Sequence, residues 1–356
     1  MERIIFHCDL NSFYASVELL DHPELRHLPV AVCGDPESRH GIILAKNEPA
    51  KKFRVQTAET IWQAKRKCPD LVLLPAHHRV YREFSRRINR MYQDYTDLVE
   101  PFGIDESWLD VTHTLHLFGG DAKALADHLR QRMKQEMGLT LSVGVSFNKV
   151  FAKLGSDYKK PDAVTVFGRE QMESVIWKLP AQALLFVGPH TGKTLEKFGI
   201  HTIGDIARME LPAMRRMLGR AGEALWTYAN GLDTSPVAAA GAAEPPKTIG
   251  NSTTLPHDCD FGRGGPPHPA GAGGVRGQPP AAPGDEGGRG TADGEERGLS
   301  RVSAPVQAGA RRVRRRSLYR AALELYRKED RRWSVRLLGL RRESGRGQRG
   351  PASSFF

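Results

Sequence analysis

Residues 3–18 read Arg3-Ile-Ile-Phe-His-Cys-Asp-Leu-Asn-Ser-Phe-Tyr-Ala-Ser-Val-Glu18, and they contain two different periodicities. The residues before Asp9 are rich in strand formers, whereas the apolar residues after it recur at the spacing of a helix. The pattern therefore predicts a strand that ends at Asp9 and leads directly into a helix.

A second acidic site follows further along the chain. Residues 98–102 and 108–111 are predicted to form two short strands, and Gly103-Ile-Asp-Glu-Ser107 between them has the composition of an antiparallel hairpin turn. Asp105 and Glu106 are therefore expected at the edge of a sheet. Together with Asp9 they offer three carboxylates to one site.

Three carboxylates suit hard divalent cations, which prefer oxygen ligands. Mg²⁺ binds through one or two carboxylates and completes its shell with water and substrate phosphates. Two such ions could act on the attacking and leaving oxygens of a phosphoryl transfer. Any one of these acids taken alone is more often a turn or capping residue, so the interpretation depends on the surrounding motifs.

Three motifs in family order resemble those of the Y-family DNA polymerases. They are residues 9–18, Gly103-Ile-Asp-Glu-Ser-Trp-Leu-Asp110, and the segment 141–161 with its basic helix, and the similarity extends over residues 1–257. The bacterial DNA polymerase IV group is the most similar. The resemblance implies an error-prone translesion polymerase that adds dNTP to a primer 3′-end on template DNA and has no proofreading exonuclease.

The resemblance also assigns the catalytic metal ligands. Asp9, Asp105 and Glu106 would hold two Mg²⁺ ions, and the backbone carbonyl of Leu10 would complete one coordination shell. The histidines show no metal-binding spacing, so no zinc site is expected.

Four further residues would contact the incoming nucleotide, by the same resemblance. Lys160 matches a lysine that reaches the triphosphate, and Lys51 stands where the family usually has an arginine, which keeps the charge without the bidentate fork. Tyr14 matches an aromatic residue that leaves no room for a ribose hydroxyl, although by itself it would be interpreted as a packing residue. Phe13 is expected in the core, with its backbone amide facing phosphate.

The expected fold class is α+β, a right-hand polymerase with a ferredoxin-like palm, small fingers, a helical thumb and a disrupted little finger. The boundaries predicted from pattern and resemblance are 1–10 and 78–166 for the palm, 11–77 for the fingers, 168–233 for the thumb, 234–246 for a linker, 247–341 for the little finger and 342–356 for the tail.

Residues 184–206 of the predicted thumb resemble a helix-hairpin-helix. Glycines in such a motif let the backbone approach a DNA phosphate, whose charge is met by amides at a helix N-terminus. Gly188, Gly192 and Lys193 are therefore predicted to bind DNA, through contacts that do not read its sequence.

Residues 261–300 break the family pattern. They contain 13 glycines and 6 prolines, and so few apolar residues that a packed core is not expected. The pattern returns with a predicted helix over 318–327 and a strand over 335–340. We therefore expect residues 259–316 to be frame-shifted or disordered, and the coding DNA decides which.

Composition restricts the location and the partners. The net charge of +11 comes from residues 301–356, which carry 16 basic and 4 acidic side chains, but part of that excess lies in the suspect window and is weak evidence for DNA binding. The cysteine spacing and the absence of a long apolar segment predict a soluble cytoplasmic protein without membrane contact. The chain is expected to be a monomer. The Ser353-Ser-Phe-Phe356 end is a weak match to tails that bind the sliding clamp.

Two other functions stay open. If the little finger is lost, the chain could be a catalytically impaired DNA-binding remnant. A palm-type nucleotidyl cyclase is a further alternative, disfavoured because it would not need a helix-hairpin-helix.

Overall fold

The structure is a computed structural model that describes residues 2–34 and 41–242, together with the backbone of four strands between residues 248 and 343. The chain divides into two compact units between residues 243 and 244.

The described residues of the first unit form eight strands and ten α-helices. The strands are β1 (Ile5–Leu10), β2 (Val30–Cys33), β3 (Ile43–Lys46), β4 (Val72–Pro75), β5 (Val99–Pro101), β6 (Glu106–Asp110), β7 (Leu141–Ser146) and β8 (Val164–Phe167). The helices are α1 (Phe13–Asp21), α2 (Glu48–Lys52), α3 (Ile61–Lys67), α4 (His78–Tyr92), α5 (Ala122–Met137), α6 (Lys149–Tyr158), α7 (Pro189–Lys197), α8 (Ile203–Arg208), α9 (Leu211–Leu218) and α10 (Arg220–Ala229).

β1 is the central strand of a five-stranded sheet with the order β5-β6-β1-β7-β8. It pairs antiparallel with β6 and β7, and β7 pairs parallel with β8. Successive side chains of a strand point to opposite faces, and Phe6, Cys8 and Leu10 enter a core shared with α4 and α5. His7 and Asp9 therefore point to the other face, where α6 packs.

Two glycines allow α6 to lie directly on the sheet. A Cβ atom at Gly144 of β7 would stand 1.9 Å from the carbonyl oxygen of Ala152 and 2.4 Å from the amide nitrogen of Ser156. A Cβ atom at Gly155 of α6 would stand 3.1 Å from Cα of Gly144. This close approach brings the polar side chains of α6 over β1.

Residues 30–75 build a smaller sheet with the order β3-β2-β4. β2 pairs antiparallel with β3 and parallel with β4. Its buried side chains form a separate small core with those of α2 and α3. Thr60 begins α3 with a capping box in which Gln63 returns the hydrogen bond.

Residues 168–233 contribute α7 to α10 and three short 3-10 turns. Their apolar side chains pack against the outer face of α6, with Phe151 and Leu154 in the shared core. None of the helices that the structure describes combines the length and the apolar composition needed to cross a bilayer.

The first half of the predicted linker is bonded to the large sheet. The Arg3 guanidinium donates to the carbonyl oxygens of Asp233 and Ser235, at 3.2 and 2.8 Å. The amide of Ala238 donates to the Glu100 carboxylate at 2.8 Å. The preceding residue, Val237, has a buried side chain. We call residues 233–240 the strap, because the side chains of Arg3 and Glu100 hold it in place.

The second unit is an antiparallel sheet with the order β11-β10-β12-β9. Its strands are β9 (Thr248–Asp260), β10 (Arg289–Glu296), β11 (Arg301–Gln307) and β12 (Ser334–Glu343). β10 and β11 lie inside the window expected to be frame-shifted or disordered. The frame-shift hypothesis concerns the coding DNA and stays a prediction. The predicted helix at 318–327 and the Ser353–Phe356 end lie outside the described residues.

Replacing Gly144 with alanine is expected to destabilise the protein by about 3 kcal/mol or more, because the new methyl group must displace backbone atoms of α6. Urea unfolding followed by tryptophan fluorescence measures this change. The matched control is Gly34→Ala, whose Cβ would meet nothing within 4 Å. A Gly144→Ala protein with the unfolding midpoint of the wild type would contradict this packing.

Candidate active site

The pairing of β1 with β6 brings two distant carboxylates together. Asp9 stands directly opposite Glu106 in the register of the two strands. The amide of Leu10 donates to the backbone carbonyl of Asp105 at 3.0 Å, so the hairpin turn meets the end of β1. Glu106 and Ser107, expected in the turn, are instead the first residues of β6, because they pair with Asp9 and Cys8.

Two lysines from α6 and the segment after it contact these carboxylates. Lys160 Nζ lies 2.6 Å from Asp9 Oδ2, and Lys153 Nζ lies 2.9 Å from Glu106 Oε2. Asp157 pairs with both lysines, at 2.7 and 3.3 Å. With Asp105, the site holds four carboxylates and two ammonium groups, so it keeps an excess of negative charge.

Burial and mutual repulsion change the pKa values of the acids. Burial, with the negative charges of Asp9 and Glu106, raises the pKa of Asp105 to about 6. Burial likewise raises the pKa of Asp9, against the opposing charge of Lys160. Burial has the same effect on Glu106, but the contact with His7 and the charge of Lys153 outweigh it and lower its pKa to about 2.

The structure adds His7 to the predicted residues. Its side chain is fully buried, and Nε2 lies 3.3 Å from Glu106 Oε2. Ligand atoms of His7, Asp9 and Glu106 all lie within 4.8 Å of one another. The strand period could have indicated this, because residues 7 and 9 share a face of β1. The spacing of Lys153 and Asp157, one helical turn apart, could likewise have indicated that these two side chains meet on one face of α6.

The donor set fits a divalent cation. Asp9 is 4% exposed, and its carboxylate lies beside that of Glu106 in a site with net negative charge. Among the described residues, His7 Nε2 and Glu106 Oε2 are buried polar atoms without a hydrogen bond. Carboxylate oxygens held in this way are the ligands that Mg²⁺ prefers.

Tyr14 lies beside the acidic cluster, in the first turn of α1. Burial and the charge of Asp105 raise the pKa of its hydroxyl. Its ring stacks on Tyr81, with centroids 4.0 Å apart and planes 13° apart. Tyr81 is itself fixed by a hydrogen bond from its hydroxyl to the buried Glu18. The half-buried Tyr14 ring is therefore supported on one face by a Tyr81 ring that is itself held in place.

The N-terminus of α1 is open. Its preceding residue, Ser12, has a left-handed backbone with φ of 50°, and its side chain does not cap the helix. The first amides of the helix therefore lack a side-chain cap, and such amides attract anions. The Phe13 side chain is buried in the core, as expected for its apolar character.

Lys51 is connected to this helix end through a short polar chain. Lys51 Nζ lies 2.5 Å from Glu48 Oε1, and the Ser12 hydroxyl donates to the same oxygen at 3.3 Å. The Glu48 carboxylate therefore joins the side chains of Lys51 and Ser12.

The predicted DNA-binding glycines of the thumb differ in their surroundings. Gly188 caps α7 at its N-terminus, and a Cβ there would meet nothing within 4 Å. Gly192 lies one turn inside α7, where a Cβ would come within 2.8 Å of Gln182. The structure thus gives Gly192 a packing role against the preceding 3-10 turn. Lys193 is exposed on the same helix.

Comparison with known proteins identifies the family. Residues 8–157 match the model of the impB/mucB/samB family. DNA polymerase IV of Acetivibrio thermocellus is 56% identical over 258 residues, which are 72% of this chain and 64% of that protein. DNA polymerase IV 1 of Bacillus subtilis is 41% identical over 256 residues, 72% of this chain and 61% of that protein. The match thus spans less than two thirds of either relative.

The solved structure of a Y-family DNA polymerase chimera, Dbh-Dpo4(243-245)-Dbh, superposes with a TM-score of 0.78. It covers 96% of this chain and 98% of the chimera, at 22% sequence identity, so it shows the fold. The predicted α+β class is confirmed. Residues 8–157 thus match the impB/mucB/samB family, and the chain shares the fold of a Y-family DNA polymerase.

Proposed function

We propose that this chain is a DNA-directed DNA polymerase of the translesion type, which adds deoxynucleotides to a primer 3′-end on template DNA. The observation that carries this proposal is the opposition of Asp9 and Glu106 across β1 and β6, with Asp105 in the adjoining turn. The relatives named DNA polymerase IV support it.

Asp9, Asp105 and Glu106 would hold two Mg²⁺ ions, with the backbone carbonyl of Leu10 as a further ligand. When bound, such ions favour ionisation of the primer 3′-hydroxyl and neutralise the pyrophosphate that leaves. The carboxylates themselves supply the negative charge that selects the cations. Burial of Asp9 strengthens this attraction because water screens it less.

The nucleotide triphosphate would be bound by positive charge from two sides. Lys160 already lies within reach of Asp9, where the phosphates would come close to the ligands of the ions. Lys51 stands beside the open N-terminus of α1, whose amides provide further donors. Both lysines would exchange a carboxylate partner for phosphate as the nucleotide binds.

Duplex DNA would contact the thumb through α7. The exposed N-terminus after Gly188 offers free amides to a phosphate, and Lys193 adds a positive charge nearby. These contacts would hold primer and template without reading their sequence, as a polymerase requires.

Asp105→Ala is expected to reduce Mg²⁺-dependent extension of a primed template by about 100-fold or more, the scale of losing one electrostatic element of an active site. The matched control is Glu173→Gln, an exposed acid remote from the cluster in sequence, which should extend like the wild type. If the wild type also fails to extend the primer but still binds DNA, the chain is the catalytically impaired remnant.

Binding of Mn²⁺ to the full chain without DNA is expected to strengthen as pH rises from 5 to 7. Asp105 has a pKa of about 6, so below that pH it carries a proton that the cation must displace. One competing proton weakens binding by up to about tenfold per pH unit below the pKa. Electron paramagnetic resonance of free Mn²⁺ measures this, and Asp105→Asn should flatten the dependence. Equal affinity at pH 5 and 7 would exclude Asp105 as a ligand.

Tyr14→Ala is expected to raise ribonucleotide incorporation about 10- to 100-fold relative to deoxynucleotides, because removal of the ring opens space beside the sugar. Single-nucleotide extension with matched rNTP and dNTP gives the ratio. Tyr14→Phe keeps the ring and should retain the discrimination of the wild type. Unchanged discrimination in Tyr14→Ala would assign the ring to packing alone.

A further inference from the structure

We propose that His7 is a positioning residue for the carboxylate of Glu106, which it holds in the orientation that binds a divalent cation. This inference rests on the proposed function, because it takes Glu106 as a metal ligand. It concerns a buried histidine to which the assigned chemistry gives no role.

The imidazole of His7 is fixed on three sides. Its ring is fully buried and meets Trp108 edge-on, with centroids 5.3 Å apart. The Ser156 hydroxyl lies 2.8 Å from Nδ1. On the opposite side of the ring, Nε2 lies 3.3 Å from Glu106 Oε2. These contacts hold the ring in one orientation. The ring in turn restricts the orientation of the Glu106 carboxylate, which it contacts.

The contact with Glu106 assigns the tautomer. Two bare acceptor atoms buried at 3.3 Å would repel each other, so the proton belongs on Nε2 and faces the carboxylate. Nδ1 then accepts the single Ser156 hydroxyl proton in place of the backbone carbonyl of Lys153, which lies at the same distance of 2.8 Å from that hydroxyl. Burial lowers the pKa of His7 and favours this neutral form.

His7 and Lys153 act on the same oxygen of Glu106. Both contacts, at 3.3 and 2.9 Å, are to Oε2. A carboxylate held through one oxygen presents the other in a fixed direction. Groups that hold a metal ligand from behind typically change metal affinity or activity about 10- to 100-fold when they are removed.

The position of His7 depends on the close contact of α6 with the sheet. His7 stands opposite Gly144 in the pairing of β1 with β7, and Gly144 is the residue that lets Ser156 approach. A buried imidazole costs desolvation energy that an aliphatic strand residue would avoid. Its hydrogen bond with Ser156 and its contact with Glu106 offset that cost, and only the contact with Glu106 points to the site.

The test compares His7→Leu with His7→Gln in the full chain. Gln places an amide donor near the position of Nε2, whereas Leu fills the space without a donor. Mn²⁺ binding is measured by electron paramagnetic resonance without DNA, and the half-saturating Mg²⁺ concentration by primer extension. We expect His7→Leu to weaken Mn²⁺ binding about 10- to 100-fold and His7→Gln to stay within about threefold of the wild type, while the KM for dNTP at saturating Mg²⁺ changes little.

Circular dichroism confirms that each variant is folded, and Ser156→Ala provides a second variant that loosens the ring without removing it. Ser156→Ala is expected to weaken Mn²⁺ binding severalfold, less than His7→Leu. Folded His7→Leu or Ser156→Ala proteins that bind Mn²⁺ like the wild type would overturn the proposal. Failure of the wild type to extend primers while it binds Mn²⁺ would instead count against the proposed function, and the Mn²⁺ comparison would still decide the role of His7.

Discussion

Asp9 and Glu106 occupy facing positions on β1 and β6, and a pairing shifted by one residue would turn one of them to the other side of the sheet. The buried apolar residues of β1 fix this register, because Phe6, Cys8 and Leu10 must enter the core under α4 and α5. The acidic site is therefore specified by hydrophobic residues on the face opposite to it. The same pairing places the turn that carries Asp105 against the end of β1.

The second constraint is the contact between α6 and β7. Without the space at Gly144 and Gly155, Lys153 and Ser156 could not reach the groups on β1. The helix thus supplies the positive charge of Lys153 and the hydroxyl group of Ser156 beside the groups on β1. On its outer face the same helix packs against residues of the thumb segment, so one ten-residue element joins the acidic site to the helical part of the unit.

The fold class followed from the sequence pattern and the family resemblance together. Local patterns alone were sufficient for the strand and helix around Asp9, because alternation and helical spacing depend on neighbours in sequence. They placed the hairpin correctly but put Glu106 in its turn, since only the partner strand shows where pairing begins. They missed His7 as a member of the site, because its neighbours come from β6 and α6. They could not separate Gly188 from Gly192, as both are glycines in one motif and only the packing of Gln182 distinguishes them.

The strap connects residues near the beginning of the first unit with residues near its end. Arg3 lies at the start of the chain, and its carbonyl partners lie 230 and more residues later. During synthesis on the ribosome, the large sheet can assemble once β8 has emerged, but the strap cannot join Arg3 and Glu100 until residue 240 has been made. Contacts over such separations are the slowest to form in folding. Closure of the strap is therefore a natural last step for this unit, and it coincides with the moment at which the chain of the second unit begins to appear.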